Sequence, residues 1–536
     1  MTKKQTFIGG VLILLLSQII IKILGFLYRV IITNINGFGD AGNSLYSTGY
    51  KVYLVLLAIS TTGIPAALAK LVSEKAAIGD FKGAHRMFKV AFYLFSGIGI
   101  AGTLLLLLTA KPIAMLVGNP DSELVMYVLA PSVLFVAIAA VFRGYFQGLY
   151  DMKAQGSSQV IDQLAKAIFT ILFVYMFMLM GQDTRIMAAG ATLGTTLGTV
   201  ASVAYLWSYY NKRKRGLWEE IRNQELIKKK DPSKDIIQRL IKLAIPISLG
   251  SIILTIAGLV DLATVMNRLQ QSGVDYEKAK ALFGILTGKG DVLVNFPLAM
   301  NIAFATALVP AVASSMAVND TKTAASRIGF SLKITILIGL PASIGLYVLA
   351  DPIIQTLFPN AREGGYLVAL SALSIIFIAL SQTLAGALQG LGRVVVPAVA
   401  LMIGALVKLY LNYTLIPMPQ FGIKGAAISS IVCYFIAASI SIIALIRKIK
   451  IDIRISEYII KPILCSAGMG LAAFYSYKAF IAFIHSITLS TLAAIAVAGV
   501  VYVLLLLALR ALKIEEYKML PYGDKISEFL IKYKFI

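Results

Sequence analysis

Residues 124–148 read LVMYVLAPSVLFVAIAAVFRGYFQG, with no charged residue between Glu123 and Arg143. A hydrocarbon core is about 30 Å thick and takes ~20 apolar residues as a helix. This stretch reaches that length and is far too long for one strand. Working outward, thirteen more apolar spans follow, at about 7–32, 44–69, 87–110, 155–180, 186–210, 240–268, 284–317, 328–349, 365–389, 394–416, 422–446, 460–484 and 487–509. None alternates strictly between apolar and polar, which argues against a membrane barrel. The sequence therefore predicts an all-α polytopic membrane protein with fourteen transmembrane helices. Across 536 residues, 58% are hydrophobic and 14% charged. A soluble protein is about half apolar and a quarter charged, so a water-soluble enzyme is excluded. Lys3 and Lys4 before an apolar run mimic a signal peptide, but Lys22 and Arg29 lie inside the run, which is read as the first helix.

Charge orients these helices. Of 49 Lys and Arg, 34 fall in the two tails and alternate loops, 7 in the other loops and 8 within spans. Excess cations stay cytoplasmic, so both termini and the basic stretch 211–239 are expected there. That stretch holds Lys212-Arg213-Lys214-Arg215 and Lys228-Lys229-Lys230. It reads as a topology determinant beside anionic lipid rather than as a nucleic-acid site.

The chain also repeats. Gln147-Gly148-Leu149 and Lys166 recur 242 residues later as Gln389-Gly390-Leu391 and Lys408. Ile64-Pro65-Ala66 matches Val309-Pro310-Ala311, and Lys111-Pro112-Ile113 matches Asp351-Pro352-Ile353. The expected organisation is a six-helix bundle at 1–210, a basic cytoplasmic linker at 211–239, a second six-helix bundle at 240–446, two extra helices within 447–510 and a cytoplasmic tail at 511–536. An even repeat gives both halves one orientation, with a substrate site at the interface of the halves.

Charges within spans are costly and mark function by default. The eight cations are Lys22, Arg29, Lys51, Arg143, Lys166, Arg268, Lys289 and Lys408, against three acids, Asp162, Asp261 and Asp291. Arg143 near a span end is expected to snorkel. Lys166 four residues after Asp162 is expected to pair with it. Arg268, at the end of its helix and seven residues after Asp261, is read as snorkelling or pairing with it, and Lys289 and Asp291 as compensating each other. Helix one resists such readings. Gln18, Lys22, Gly25 and Arg29 share one helical face; Lys51 stands in the second span, and neither span holds an acid. This pattern reads as a cationic cavity for an anion, with phosphate the natural partner.

Other chemistries are absent. Cys433 and Cys465 lie in apolar runs and only His85 and His485 are present, so neither a disulfide framework nor a metal site is expected. Gly288-Lys289-Gly290 lacks the glycine lead and the Ser/Thr of a phosphate loop. No cofactor is expected, and coupling to the membrane potential or an ion gradient is the expected drive. Short outer loops without an acid/histidine constellation argue against an enzyme.

Ser60-Thr61-Thr62-Gly63-Ile64-Pro65-Ala66, running on to Lys70-Leu71-Val72-Ser73-Glu74, resembles the SpoVB/YtgP branch of the multidrug/oligosaccharidyl-lipid/polysaccharide (MOP) exporter superfamily. So do Phe142-Arg143-Gly144-Tyr145-Phe146-Gln147-Gly148-Leu149, Ser158 through Gln163, and Gly39-Asp40 through Tyr46. Ala154-Gln155-Gly156-Ser157 and Lys166 depart from the pattern, which has Pro-Thr and Arg there. The resemblance implies two six-helix bundles in a V plus two C-terminal helices forming a groove for a lipid tail. It implies a flippase for an undecaprenyl-pyrophosphate-linked saccharide, most of all lipid II of peptidoglycan synthesis, working by alternating access. The MurJ-like relatives line the V with cations from helices one, two and eight, which match Lys22, Arg29 and Lys51, with Lys289 a weaker candidate. Gln18 joins this substrate-binding set through its face. Expected partners are the lipid-linked oligosaccharide, membrane lipids and cell-wall synthesis or division proteins. Export of a capsule or teichoic-acid precursor, multidrug antiport and a non-transporting division scaffold stay open as alternatives.

Overall fold

The computed structural model describes residues 7–58, 63–223, 232–451, 454–512 and 516. The described residues form helices and turns with no strand. The chain packs as two compact units, residues 1–284 and 285–536. The first holds α1 (Phe7–Thr33), α2 (Gly39–Ala58), α3 (Ile64–Ala77), α4 (Phe81–Leu116), α5 (Glu123–Gly148), α6 (Met152–Leu179), α7 (Thr184–Asn223), α8 (Ser233–Gln271) and α9 (Tyr276–Gly284). The second opens on a π-helical turn, Ile285–Gly290. It continues with α10 (Asp291–Ala317), α11 (Thr321–Val348), α12 (Ala350–Leu357), α13 (Gly365–Ala372), α14 (Ser374–Gly390), α15 (Val395–Leu415), α16 (Lys424–Ile446), α17 (Lys461–Ile484) and α18 (Ile487–Ala508).

Helices stand at all fourteen expected spans. Among the described residues, twelve spans are long and apolar enough to cross a membrane. The second and seventh expected spans, at α2 and α8, are helical but not among the twelve. For α2 the reason is composition: Asn43, Ser44, Ser47 and Thr48 are all buried. A helix can be this polar away from water only if neighbours satisfy its groups. Here they do: Asn119 donates to the hydroxyls of Ser44 (3.2 Å) and Thr48 (2.9 Å), and Asn43 donates to Thr33 Oγ1 (2.8 Å). Of the span expected at 44–69, α2 covers the part up to Ala58 and α3 the part from Ile64, while residues 59–62 lie outside the described residues. The basic stretch 211–239 begins as helix, because α7 runs on to Asn223; residues 224–231 and most of the tail lie outside the described residues.

The duplication is written in the turns. Gly79 (φ 74°) and Asn319 (φ 58°) each occupy the left-handed region, which glycine and asparagine tolerate best. The next residue, Asp80 or Asp320, caps the following helix by accepting from the N–H of Gly83 (2.7 Å) or Thr323 (2.9 Å). Tyr150 (φ 59°) and Gly392 (φ 77°) repeat a second turn, with Asp151 N–H bonded to Phe146 O and Arg393 N–H to Leu388 O. Packing repeats too. A Cβ on Gly148 would lie 2.8 Å from Ala69 O and 2.7 Å from Val72 Cβ, so α5 meets α3 backbone to backbone. A Cβ on Gly390 would lie 2.9 Å from Val309 O and 2.7 Å from Val312 Cβ, the same closeness between α14 and α10. Small residues at such crossings let membrane helices pack closely.

Candidate functional site

Within the first unit, α1, α2 and α6 bring cations and tyrosines together. Arg29 is buried. Its Nη1 donates to Asn43 Oδ1 (2.9 Å), its Nη2 to Ser47 Oγ (3.0 Å), and its guanidinium carbon lies 4.1 Å from the Tyr46 ring centroid. Lys166, buried on α6, reaches the same tyrosines. Its Nζ is 4.2 Å from the Tyr50 centroid, 5.5 Å from Tyr28 and 6.0 Å from Tyr46. Tyr46 and Tyr50 stack at 5.6 Å, and the Tyr28 and Tyr46 hydroxyls share a hydrogen bond of 3.2 Å. Neither Arg29 nor Lys166 forms an ion pair among the described residues. Ring faces carry partial negative charge, so aromatic walls hold a cation without neutralising it.

The rest of the α1 face lies along α6. Gln18 Nε2 donates to Gln159 Oε1 (3.0 Å), and a Cβ on Gly25 would meet Gln163 Nε2 at 3.5 Å. Lys22 stands between them, exposed, with no ion pair among the described residues. At 1.5 Å per residue it lies about 10 Å along the helix from Arg29. Lys51 on α2 is half-buried, with Nζ 5.5 Å from the Phe283 centroid.

The structure corrects two expectations about this region. Arg143 does not snorkel; it is buried on α5, donating to Ser158 Oγ (3.0 Å) and Ser202 Oγ (2.8 Å) and pairing with Asp162 at 3.4 Å. Asp162 therefore pairs with Arg143 across a helix interface, while Lys166 turns to the tyrosines. Ser158 and Ser202 place three helices around one guanidinium, a constellation invisible in the spacing of Asp162 and Lys166.

The remaining intramembrane charges lie on other elements. In the first unit Asp261 is buried and Arg268 half-buried on α8. In the second, Lys408 is buried on α15 at the repeat position of Lys166. Lys289 is fully buried in the π-helical turn, where Nζ donates to the carbonyls of Ala361 (2.7 Å) and Glu363 (3.0 Å). Sequence reasoning missed Lys333, counted with the loop cations. It is buried on α11, bonded to Glu516 (2.6 Å) and 3.6 Å from Glu457. Its position five residues inside the 328–349 span was the available signal.

Comparisons with known proteins agree with this architecture. The family described as "Polysaccharide biosynthesis protein" matches residues 7–316, and the MatE family matches residues 290–414. Stage V sporulation protein B of Bacillus subtilis (strain 168) is 26% identical over 479 residues, 89% of this chain and 91% of that protein. Lipid II flippase MurJ of the same organism is 26% identical over 480 residues, 86% and 87% of the two chains. Among solved structures, one of lipid II flippase MurJ in an inward closed conformation superposes with TM-score 0.67 at 16% identity, covering 91% of this chain and 97% of that one.

Proposed function

From the premise that this chain belongs to the polysaccharide biosynthesis protein family, as a MOP-superfamily member of the SpoVB/MurJ type, we propose that it flips a lipid-linked saccharide across the bacterial cytoplasmic membrane, with lipid II as substrate. Its relatives are flippases and transporters, not enzymes, and it is read here as a transporter. Movement is by alternating access. Both termini and the 211–239 stretch face the cytoplasm, as the cation count expects.

One observation carries the substrate class: the first unit keeps Lys22, Arg29 and Lys166 inside apolar helices without an ion pair among the described residues. An intramembrane cation without a carboxylate partner is held at a cost that an anionic ligand repays. A pyrophosphate linker is such a ligand, and cations bind it through charge-assisted hydrogen bonds. Lys22, Arg29 and Lys51 are assigned to it, with Gln18 on the same face. Arg29 has five N–H donors. Two serve Asn43 and Ser47, so it is both anchored and able to donate further. Lys166 polarises the tyrosine wall behind it. Lys289 is assigned to pinning the 361–363 segment rather than to the substrate.

The test is rescue of cells depleted of their own lipid II flippase, with translocation of lipid II measured directly at matched expression. Survival with restored translocation supports the reading. A well-expressed, membrane-inserted chain that restores neither overturns lipid II as substrate.

A further inference from the structure

The first unit has a cleft of about 780 Å³ between α5 and α7. Phe135, Val203 and Trp207 wall it, and Ser208, Asn211 and Lys212 line its polar end. On α7 these residues belong to one stripe, since Val200, Val203, Ala204, Trp207, Ser208, Asn211 and Lys212 recur at spacings of three and four. Polarity changes along it in one direction, from valine through an indole to an amide and an ammonium. From Val200 to Lys212 the stripe covers about 18 Å, close to one leaflet of a ~30 Å core plus the start of its headgroups. Trp207 is half exposed, at 50%, and its ring meets Phe142 edge-on at 6.0 Å. Tryptophan favours that depth, where one end of the ring is apolar and the other wet.

Lys212 differs from its neighbour. Arg213 is committed, pairing with Asp151 at 2.8 Å and covering the Tyr209 ring at 5.1 Å. Lys212 is exposed, with no ion pair among the described residues. The cleft thus joins an acyl-sized apolar wall to an uncommitted cation at headgroup depth. We propose that it binds one anionic phospholipid of the surrounding membrane, an acyl chain along Phe135 and Val203 and the phosphate at Asn211 and Lys212. The site is separate from the α1/α2/α6 cations and does not rest on the transport reading. Basic pockets between membrane helices bind anionic headgroups in this way.

The experiment is native mass spectrometry of the delipidated full-length protein titrated with phosphatidylglycerol or with phosphatidylcholine. The wild-type chain is expected to hold one phosphatidylglycerol in preference to phosphatidylcholine. One lysine near an anionic surface contributes ~1 kcal/mol, so Lys212→Gln should weaken phosphatidylglycerol about five-fold and leave phosphatidylcholine unchanged. Val203→Phe, which fills the cleft, should lower both lipids. Lys322→Gln on the second unit should change neither, and glycerol phosphate should not compete. Equal binding of both lipids by the wild type, wild-type selectivity in Lys212→Gln, or displacement by glycerol phosphate alone would each overturn the proposal.

Discussion

Removing the Arg143 guanidinium should destabilise the first unit measurably. Arg143→Met keeps the bulk of the side chain and deletes the bonds to Ser158 and Ser202 together with the Asp162 pair. Hydrogen bonds between membrane helices average ~0.6 and reach ~1.7 kcal/mol in double-mutant cycles. The two serine bonds, at 2.8 and 3.0 Å, therefore account for about 1–3 kcal/mol. Breaking a buried pair costs ~3–5 kcal/mol because a charge is stranded. Asp162 retains 25% of its side-chain exposure and its contact is long at 3.4 Å, so about 1 kcal/mol is appropriate after screening. The sum is about 2–4 kcal/mol. Adding Asp162→Asn removes the stranded charge and should recover roughly 1 kcal/mol, visible as coupling in the cycle. Arg143→Lys keeps the charge but loses the planar fork and should fall between. The assay is equilibrium unfolding of the purified protein in mild detergent, followed by retention of the folded peak on size exclusion. A loss below about 0.5 kcal/mol in Arg143→Met, the value for a surface substitution, would refute a buried three-helix clamp and restore the snorkelling arginine.

Three further outcomes follow from the same packing. Arg29→Gln should lower stability by about 1–3 kcal/mol because Asn43 and Ser47 lose a charged donor, while exposed Lys22→Gln should leave unfolding unchanged within ~0.5 kcal/mol; the same unfolding assay separates them. Gly390→Val should overpack the α10–α14 crossing and cost about 1–3 kcal/mol, whereas Gly392→Asn, at a left-handed position where no atom lies within 4 Å of an added Cβ, should be mild by the same measurement. Lys333→Met should be tolerated better in combination with Glu516→Gln than alone, since the single change takes the buried lysine from the half-buried carboxylate 2.6 Å away; thermal stability of the three variants decides it.

The helices were legible because a membrane forces each span to satisfy its own backbone. Apolar length alone located α4 to α7, α10, α11 and α13 to α18, and passed over the short α12 between two spans. It described α2 poorly, because its polarity is compensated by Thr33, Arg29 and Asn119, residues on other segments. The duplication was legible from Gln147-Gly148-Leu149 and its copy, and the turns at Gly79 and Asn319 show why identity there was low. The left-handed position needs only a permissive residue and the cap only an aspartate. Charge partners were the least legible part. Spacing offers Asp162 to Lys166 on one helix, but geometry gives Asp162 to Arg143 across an interface. Lys333 finds Glu457 and Glu516 more than a hundred residues away, beyond the reach of any local pattern. The spacing of Gln18, Lys22, Gly25 and Arg29 is a local signal on one helix, while the tyrosines Tyr28, Tyr46 and Tyr50 around Arg29 and Lys166 depend on how α2 and α6 pack.

The role proposed for the intramembrane cations of the first two spans is to hold the phosphate of a lipid-linked saccharide. Translocation of lipid II by the Lys22→Gln, Arg29→Gln, Lys51→Gln triple variant tests it most directly, in cells depleted of their own flippase and at matched levels of inserted protein. Each lost contact to a charged group is worth about 1.5–3 kcal/mol, so the triple variant should lose at least a hundred-fold in translocation while Lys22→Arg retains a measurable fraction. Near-normal translocation by the triple variant would rule out phosphate binding by these cations.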